Sequence, residues 1–144
     1  QIASGTKVPK KGIVFISVKD TDKNKILNPA SQLINMGFSI TATDGTAEYL
    51  NKNGVTAKKI NKVLEGSPHI VGAIKEGQIS LVFNTTETPQ AIKDSKSIRR
   101  SALEAEVPYY TTVSGATAAV LGIKAVTGSE FSIKTIQSYG ELLN

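Results

Sequence analysis

The amino-acid sequence predicts an α/β sandwich, in which a parallel sheet is covered by helices. Apolar runs rich in β-branched residues, typical of strands buried on both faces, alternate along the chain with segments of helical periodicity. Glycines follow several of the helical segments, where they favour helix ends. The chain has 144 residues, of which 40% are hydrophobic, and this suits one soluble domain with its own core. Strands that alternate with helices predict right-handed crossovers between parallel strands.

The first strand is predicted at residues 12–18, GIVFISV, an almost continuous apolar run. The helix that follows has an apolar stripe that includes Ile26 and Leu33, and Gly37 supplies its C-terminal stop. Pro29 falls inside this segment, where it either kinks the helix or marks its first turn.

The remaining elements follow from the same patterns. They are a strand at 38–43, a helix at 46–54, a short strand at 57–61, a short helix closed by Gly77, a strand at 78–84, a long helix within 89–107 on which Ile98, Ala102 and Ala105 occupy neighbouring turns, a strand at 107–112 and a helix at 115–123. Residues 131–143 are predicted to form a short surface helix.

Composition excludes several classes of function. The sequence has no cysteine, which excludes disulfides, thiolate zinc sites and cysteine nucleophiles and suits a cytoplasmic protein. Its single histidine, His69, excludes a histidine-rich metal site, and we expect no metal. No apolar run is long enough to span a membrane. The net charge of +5 fits a solvated surface, a pocket for a small anion or, less well, a polynucleotide, since no basic patch has interleaved aromatic residues.

Small polar side chains follow most of the predicted strands. They are Ser17, the TDGT segment at 43–46, Lys62, the NTT segment at 84–86 and the TTVSG segment at 111–115. Ligands of parallel α/β sheets bind beyond the carboxyl ends of the strands, near helix N-termini. These hydroxyl and amide groups, together with a lysine, therefore predict a site for an anion.

Alternative interpretations remain for each of these residues. Thr46 and Thr86 taken singly are typical helix caps. His69 fits a capping or surface histidine, and no Ser/His/Asp set can be assembled around it. The TDGTA loop matches neither a Walker sequence nor a dinucleotide fingerprint. Arg99 and Arg100 are expected to be exposed, and one of them could meet a phosphate or a partner domain.

Six segments closely resemble the C-terminal allosteric domain of the large chain of carbamoyl-phosphate synthase, which has the methylglyoxal-synthase-like fold. They are SVKDTDK, GFSITATDGTAEYL, INKVLEGSPHI, FNTTE, AIKDSKSIRRSAL and PYYTTVSG, and they cover about residues 12–123. The resemblance implies a three-layer sandwich with a five-stranded parallel sheet, formed by residues 12–124 between a linker at 1–11 and a tail at 125–144.

The resemblance also implies a function. Domains of this family regulate a glutamine-hydrolysing, ATP-dependent ligase of pyrimidine and arginine biosynthesis, with UMP as inhibitor and IMP as activator. The domain itself is expected to be non-catalytic and to need no cofactor, whereas the parent enzyme uses ATP with Mg or Mn and K. The expected partners are the other domains of the large chain and the glutaminase small chain, without nucleic acid or membrane.

The family's nucleotide-pocket residues fall on matching positions of this sequence. Lys23, Thr43, Thr46 and Lys62 resemble the phosphate and ribose contacts, and Asn84, Thr85, Thr86, Ser95 and Ile98 resemble the remainder of the pocket. The same assignment makes Thr46 the residue that opens the second helix. A carboxylate beside a phosphate would repel it, so we expect Asp44 to face solvent or to pair with a lysine.

At two places this sequence lacks residues that are functional in related proteins. Methylglyoxal synthases have a catalytic aspartate where this sequence has Pro68 or His69, so methylglyoxal synthesis is the alternative rather than the leading function, with inosine-monophosphate cyclohydrolase and a ligand-free interaction module as further alternatives. The family's ornithine-responsive aspartate–threonine pair is Tyr110 and Thr111 here, which retains only the threonine.

Overall fold

The structure is a computed structural model that describes residues 12–60, 69–85 and 89–126. The expected N-terminal linker and nearly all of the expected C-terminal tail, including its predicted surface helix, lie outside these ranges. The domain boundaries proposed from the sequence therefore stay predictions.

The described residues form one α/β sheet domain. Its elements are β1 (Ile13–Ser17), a 3₁₀ turn (Asp20–Asp22), α1 (Lys23–Asn35), β2 (Ser39–Ala42), α2 (Asp44–Lys52), β3 (Lys58–Lys59), α3 (Ile70–Lys75), β4 (Leu81–Asn84), α4 (Pro89–Glu104), β5 (Tyr109–Tyr110) and α5, described over 113–126. The five strands pair in the order β3-β2-β1-β4-β5, and every pair is parallel. The predicted five-stranded parallel sheet is thereby confirmed.

Strand β1 is the centre of the sheet and carries side chains of both cores. Val14 and Ile16 point to one face, where they pack with residues of α1, α2 and α5. Phe15 points to the other face and packs with α3 and α4. Val14, Phe15 and Ile16 are all inaccessible to solvent, as expected for a strand covered on both sides. The molecule therefore has three layers, with helices on each side of the sheet.

Helix α1 begins at Lys23, so Pro29 lies inside it and is buried. The first-turn assignment of Pro29 is therefore wrong. Gly37 ends the helix as predicted, because at its φ of 99° it turns the chain so that the Phe38 N–H reaches the Leu33 carbonyl at 3.0 Å. This return delivers the chain directly into β2.

The parallel order brings the carboxyl ends of three strands to one edge of the sheet. Ser17, the last residue of β1, lies in register with Asn84, the last residue of β4. Ala42 of β2 is paired with Ile16 on the other side of β1. Residues that directly follow β1, β2 and β4 are therefore neighbours, and this is the edge at which the sequence predicts an anion site.

Candidate functional site

A cluster of hydroxyl groups joins the ends of β1 and β2. The Thr43 hydroxyl donates to Ser17 Oγ at 3.0 Å and lies 3.5 Å from Thr46 Oγ1. Thr46 Oγ1 accepts a hydrogen bond from the Val18 N–H at 3.2 Å. Thr43 and Thr46 are both buried, so their hydroxyls hold the chain after β1 against the start of α2.

A third threonine ties β4 to the same segment. Thr85 Oγ1 accepts from the Lys19 N–H at 2.9 Å, and the Thr85 N–H donates to the Ser17 carbonyl at 2.9 Å. Thr85 thus closes the cluster on the β4 side. The hydroxyl groups of Thr46 and Thr85 accept backbone hydrogen bonds here, which leaves the proton of each hydroxyl able to donate to a ligand oxygen.

Neither Thr43 nor Thr46 caps helix α2 through its side chain. Thr43 occupies the N-cap position, but its side chain makes no capping hydrogen bond and is turned to Ser17 instead. Thr46 lies in the first turn of the helix rather than at its start, so the expectation that Thr46 opens the helix is wrong, as is the capping interpretation. The first-turn N–H groups of Gly45 and Thr46 are therefore not satisfied by a threonine side chain, and such groups favour an anion.

Lys23 brings a positive charge to this helix start. A Cβ atom built on Gly45 would lie 3.2 Å from Lys23 Nζ, so the ammonium group rests directly over the first turn of α2. The side chain is 19% exposed, and its Nζ lies 2.7 Å from Asp20 Oδ1. This hydrogen bond, and after it the lysine charge, lowers the pKa of Asp20 below its ordinary value. Glycine at position 45 leaves the space that the ammonium occupies.

Asn84 organises the other half of the edge. Its Nδ2 donates to Ser95 Oγ at 2.9 Å and to the Tyr109 phenol oxygen at 2.8 Å. Burial raises the pKa of the Tyr109 phenol, while hydrogen bonds with Asn84 and Ser95 and the charge of Arg99 act in the opposite direction. The Arg99 guanidinium lies 5.9 Å from the centre of the Tyr109 ring. The predicted pocket residues Asn84 and Ser95 are therefore in direct contact.

Asp44 is exposed and lies close to a lysine, as its sequence position predicts. Its side chain is 70% exposed, and its Oδ1 lies 3.6 Å from Lys59 Nζ. The expectation that Asp44 faces solvent or pairs with a lysine is confirmed in both respects. The negative charge at the first turn of α2 is thus directed away from the hydroxyl cluster.

The remaining predicted residues divide into three groups. Lys62 and Thr86 lie outside the described residues. Ile98 is 3% exposed, and its side chain belongs to the core cluster around Phe15. Thr111 is exposed, and the preceding Tyr110 packs edge-on against Phe83 with ring centres 5.9 Å apart. The roles assigned to these residues stay predictions.

His69 is a structural residue in the described part of the chain. It occupies the N-cap position of α3, where its Nδ1 accepts a hydrogen bond from the Gly72 N–H at 3.2 Å. The capping interpretation of His69 is confirmed. The imidazole thereby satisfies one of the backbone N–H groups at the start of α3 that have no partner within the helix.

Three residues make contacts at the site that no local sequence pattern predicts. They are Ser17 at the end of β1, Gly45 in the first turn of α2 and Tyr109 in β5. Each acts through a contact with a predicted residue: Thr43, Lys23 and Asn84, respectively. The sequence places these residues at or near the ends of strands. Which residues they contact can be predicted only when the order of the strands in the sheet is known.

Replacing Thr46 with valine is expected to lower the free energy of unfolding by about 1–3 kcal/mol, because the buried Val18 N–H loses its acceptor while side-chain shape is kept. Urea denaturation measures the loss. Thr56→Val is the matched control, since Thr56 is exposed and should change stability by less than about 0.5 kcal/mol. Equal effects of the two substitutions would contradict the assigned hydrogen bond.

The fold and the polar sheet edge define a three-layer α/β domain suited to an anionic ligand. The chain belongs to the MGS-like domain family, whose model matches residues 25–111. This range contains the predicted site residues Asn84, Thr85 and Ser95, but it begins after Lys23.

Several similar sequences are large chains of carbamoyl phosphate synthase. The chain is 46% identical over 139 residues to the carbamoyl phosphate synthase large chain of Brucella suis, covering 96% of this chain and 12% of that protein. It is 48% identical over 141 residues to the same protein of Rhizobium meliloti, covering 98% of this chain and 12% of the relative. The chain therefore matches a segment of about an eighth of each of these relatives.

A solved structure supports the fold. The methylglyoxal synthase of Elizabethkingia anophelis superposes with a TM-score of 0.63 at 16% identity, covering 78% of this chain and 79% of that chain. At this identity the likeness concerns architecture. Among the described residues no helix combines the length and apolar character needed to cross a membrane.

Proposed function

We propose that this chain is the regulatory domain of a carbamoyl phosphate synthase large chain and that it binds a nucleoside monophosphate, UMP as inhibitor or IMP as activator. The observation that carries the proposal is the position of the Lys23 ammonium over the uncapped first turn of α2, beside the buried hydroxyls of Thr43 and Thr46. The sequence identity to carbamoyl phosphate synthase large chains supports the choice of parent enzyme.

The phosphate would bind at the start of α2. Backbone N–H groups of the first turn and the helix dipole favour a negative charge there, and the Lys23 ammonium adds a charge-assisted hydrogen bond. The threonine hydroxyls are already positioned by backbone bonds, so they lose little freedom when they donate to the ligand. Lys62 and Thr86 are proposed as further contacts on the basis of the family resemblance.

The nucleoside would extend along the edge towards β4 and β5. Asn84, held between Ser95 and Tyr109, offers an ordered polar group at that end. Threonine and asparagine side chains discriminate little between bases, which fits a site shared by a pyrimidine and a purine nucleotide. Ornithine sensitivity through Thr111 is a secondary proposal, since the residue before it is an aromatic packing group rather than an acid.

The proposed pathway and partners follow from the proposed parent enzyme. Control of carbamoyl phosphate synthesis would serve pyrimidine and arginine biosynthesis in the cytoplasm. The partners would be the remaining domains of the large chain and the glutaminase small chain, and ATP, Mg or Mn and K would act in those other parts.

Calorimetric titration of the 144-residue chain with UMP and with IMP tests the proposal. We expect saturable binding of at least one nucleotide, with uridine as a control that lacks the phosphate and binds much more weakly. Absence of binding at millimolar nucleotide, with a folded protein shown by circular dichroism, would reject it. Formation of methylglyoxal from dihydroxyacetone phosphate in a parallel assay would instead favour the enzymatic alternative.

A further inference from the structure

A second basic site lies away from the sheet edge, in a groove between α3 and α4. The groove has a volume of about 470 Å³. Three of its lining side chains are cations: Lys75 from α3 and Lys96 and Arg100 from α4. Small-molecule sites of proteins typically have volumes of roughly 300–1,000 Å³, so the groove is large enough for a small ligand.

The cations that line the groove form no ion pairs with the residues that the structure describes. Within the described parts of the chain, neither Lys75, Lys96 nor Arg100 forms a salt bridge. Glu104 also lines the groove, so the described lining side chains carry three positive charges and one negative charge, a net charge of +2. A dianion would balance this charge.

A hydroxyl group on α4 is available to a ligand in the groove. Ser101 lines the groove and is only 4% exposed, yet its hydroxyl forms no hydrogen bond with the residues that the structure describes. The Ser101 oxygen is not one of the fully buried, unpartnered atoms of the described residues, so it is accessible from the groove and can donate a hydrogen bond to a ligand oxygen. Ser97 lies one helical turn earlier and offers a second hydroxyl to the same groove.

The groove and the proposed effector site use different groups of α4. Lys96, Arg100 and Glu104 recur every four residues and therefore share one side of the helix. Ser95, by contrast, is held by Asn84 at the end of β4. Loss of one site should leave the other intact.

We propose that the groove between α3 and α4 binds a small molecule through a phosphate monoester group, at a site separate from the proposed effector pocket. A phosphate monoester carries close to two negative charges at neutral pH, which matches the net charge of the lining. The Arg100 guanidinium fits two phosphate oxygens at once, and the hydroxyls of Ser97 and Ser101 supply further donors. A simple carboxylate would leave one positive charge unbalanced.

Inorganic phosphate is the probe that tests this site. It is titrated into the ¹⁵N-labelled 144-residue chain, with sodium chloride adjusted to keep ionic strength constant. We expect saturable shifts of the Ser97 and Ser101 amide signals, whereas chloride alone should give none. Arg100→Ala should weaken phosphate binding at these signals by about tenfold or more, because a charge-assisted hydrogen bond is lost.

Three variants separate this site from other effects. Arg99→Ala removes the same charge one residue away, next to Tyr109 rather than in the groove, and should leave the Ser97 and Ser101 titrations unchanged. Glu104→Gln removes the opposing carboxylate and should tighten phosphate binding. Lys23→Ala disables the proposed effector site and should leave the groove titration unchanged.

Several results would overturn the proposal. These are a phosphate response no larger than that of chloride, equal losses in the Arg100→Ala and Arg99→Ala variants, and disappearance of the Ser97 and Ser101 shifts in Lys23→Ala. None of them depends on UMP or IMP binding at the sheet edge. The proposal for the groove can therefore be rejected without rejecting the proposed effector site, and the reverse also holds.

Discussion

Lys23→Ala is expected to weaken UMP binding by about 10- to 100-fold, which corresponds to about 1.5–3 kcal/mol for one charge-assisted hydrogen bond. The ammonium lies over the first turn of α2, where a phosphate would also meet the N–H groups of Gly45 and Thr46. Its loss removes a positive charge from the start of α2, beside the buried hydroxyls of the site. Calorimetric titration of UMP into the wild-type and variant chains gives the ratio of dissociation constants.

Lys52→Ala is the matched control for Lys23→Ala. Lys52 is the last residue of the same helix and is exposed, so its removal changes the net charge equally without touching the start of α2. UMP affinity should be unchanged in this variant. Equal weakening by both substitutions would show that only the overall charge matters and would contradict the assigned contact.

The carboxyl group of Asp20 reports on the same lysine without any ligand. Its pKa is held below the ordinary value by the hydrogen bond from Lys23 and by the lysine charge. In Lys23→Ala this pKa should therefore rise towards the usual range for an aspartate, as measured by NMR titration of the side-chain carboxyl. An unchanged pKa would mean that the pair does not persist in solution and that Lys23 is not fixed over α2.

The alternation of strands and helices was predictable because each buried strand and each helix carries its own local pattern. β1 is an apolar run, and Gly37 takes the positive φ that ends α1. The strand order was not predictable, because it depends on which strands pair over distance. Only the order β3-β2-β1-β4-β5 shows that Ser17 lies between the ends of β2 and β4.

The roles of individual threonines were also not predictable, because they depend on contacts between distant segments of the chain. A threonine near a helix start is usually a cap, and this favoured a capping role for Thr46. The structure shows that its hydroxyl accepts from the Val18 N–H, which is 28 residues away in the chain. Thr43 similarly donates to Ser17 instead of capping α2. These contacts cross between strands, and no local sequence pattern contains them.

The assignment of Pro29 to a first turn is wrong for a related reason. Proline is disfavoured inside helices because it removes one hydrogen bond, and this led to its assignment to a kink or a first turn. In the structure Pro29 is a buried residue in the middle of α1, in the layer that packs with Val14 and Ile16. Tertiary burial of the helix outweighs the local preference of the proline.

Phe15→Ala is expected to lower the free energy of unfolding by about 3–5 kcal/mol, the range found for removal of a buried aromatic ring. Phe15 is inaccessible to solvent in the central strand and packs with Ile74, Val82 and Ile98. Close packing prevents the neighbours from filling the space fully, so a cavity remains. Urea denaturation followed by circular dichroism measures the loss.

Leu103→Ala is the control for Phe15→Ala. Leu103 is 77% exposed on α4, so its truncation should change stability by less than about 0.5 kcal/mol. A loss for Phe15→Ala below about 1.5 kcal/mol would contradict the assigned packing, because removal of a fully buried aromatic ring costs about 3–5 kcal/mol.

The substitution Phe15→Ala should destabilise the helices on the side of the sheet to which the Phe15 side chain points. Phe15 packs with α3 and α4, whereas α1 and α2, which carry Lys23 and Thr46, pack on the opposite face of the sheet. The cavity in Phe15→Ala should therefore accelerate amide hydrogen exchange in α4, around Ile98, more than in α2. Phosphate binding in the groove between α3 and α4 should weaken in this variant, while the contribution of Lys23 to UMP binding should persist. Equal acceleration of exchange in both helices would show instead that the two layers open as one cooperative unit.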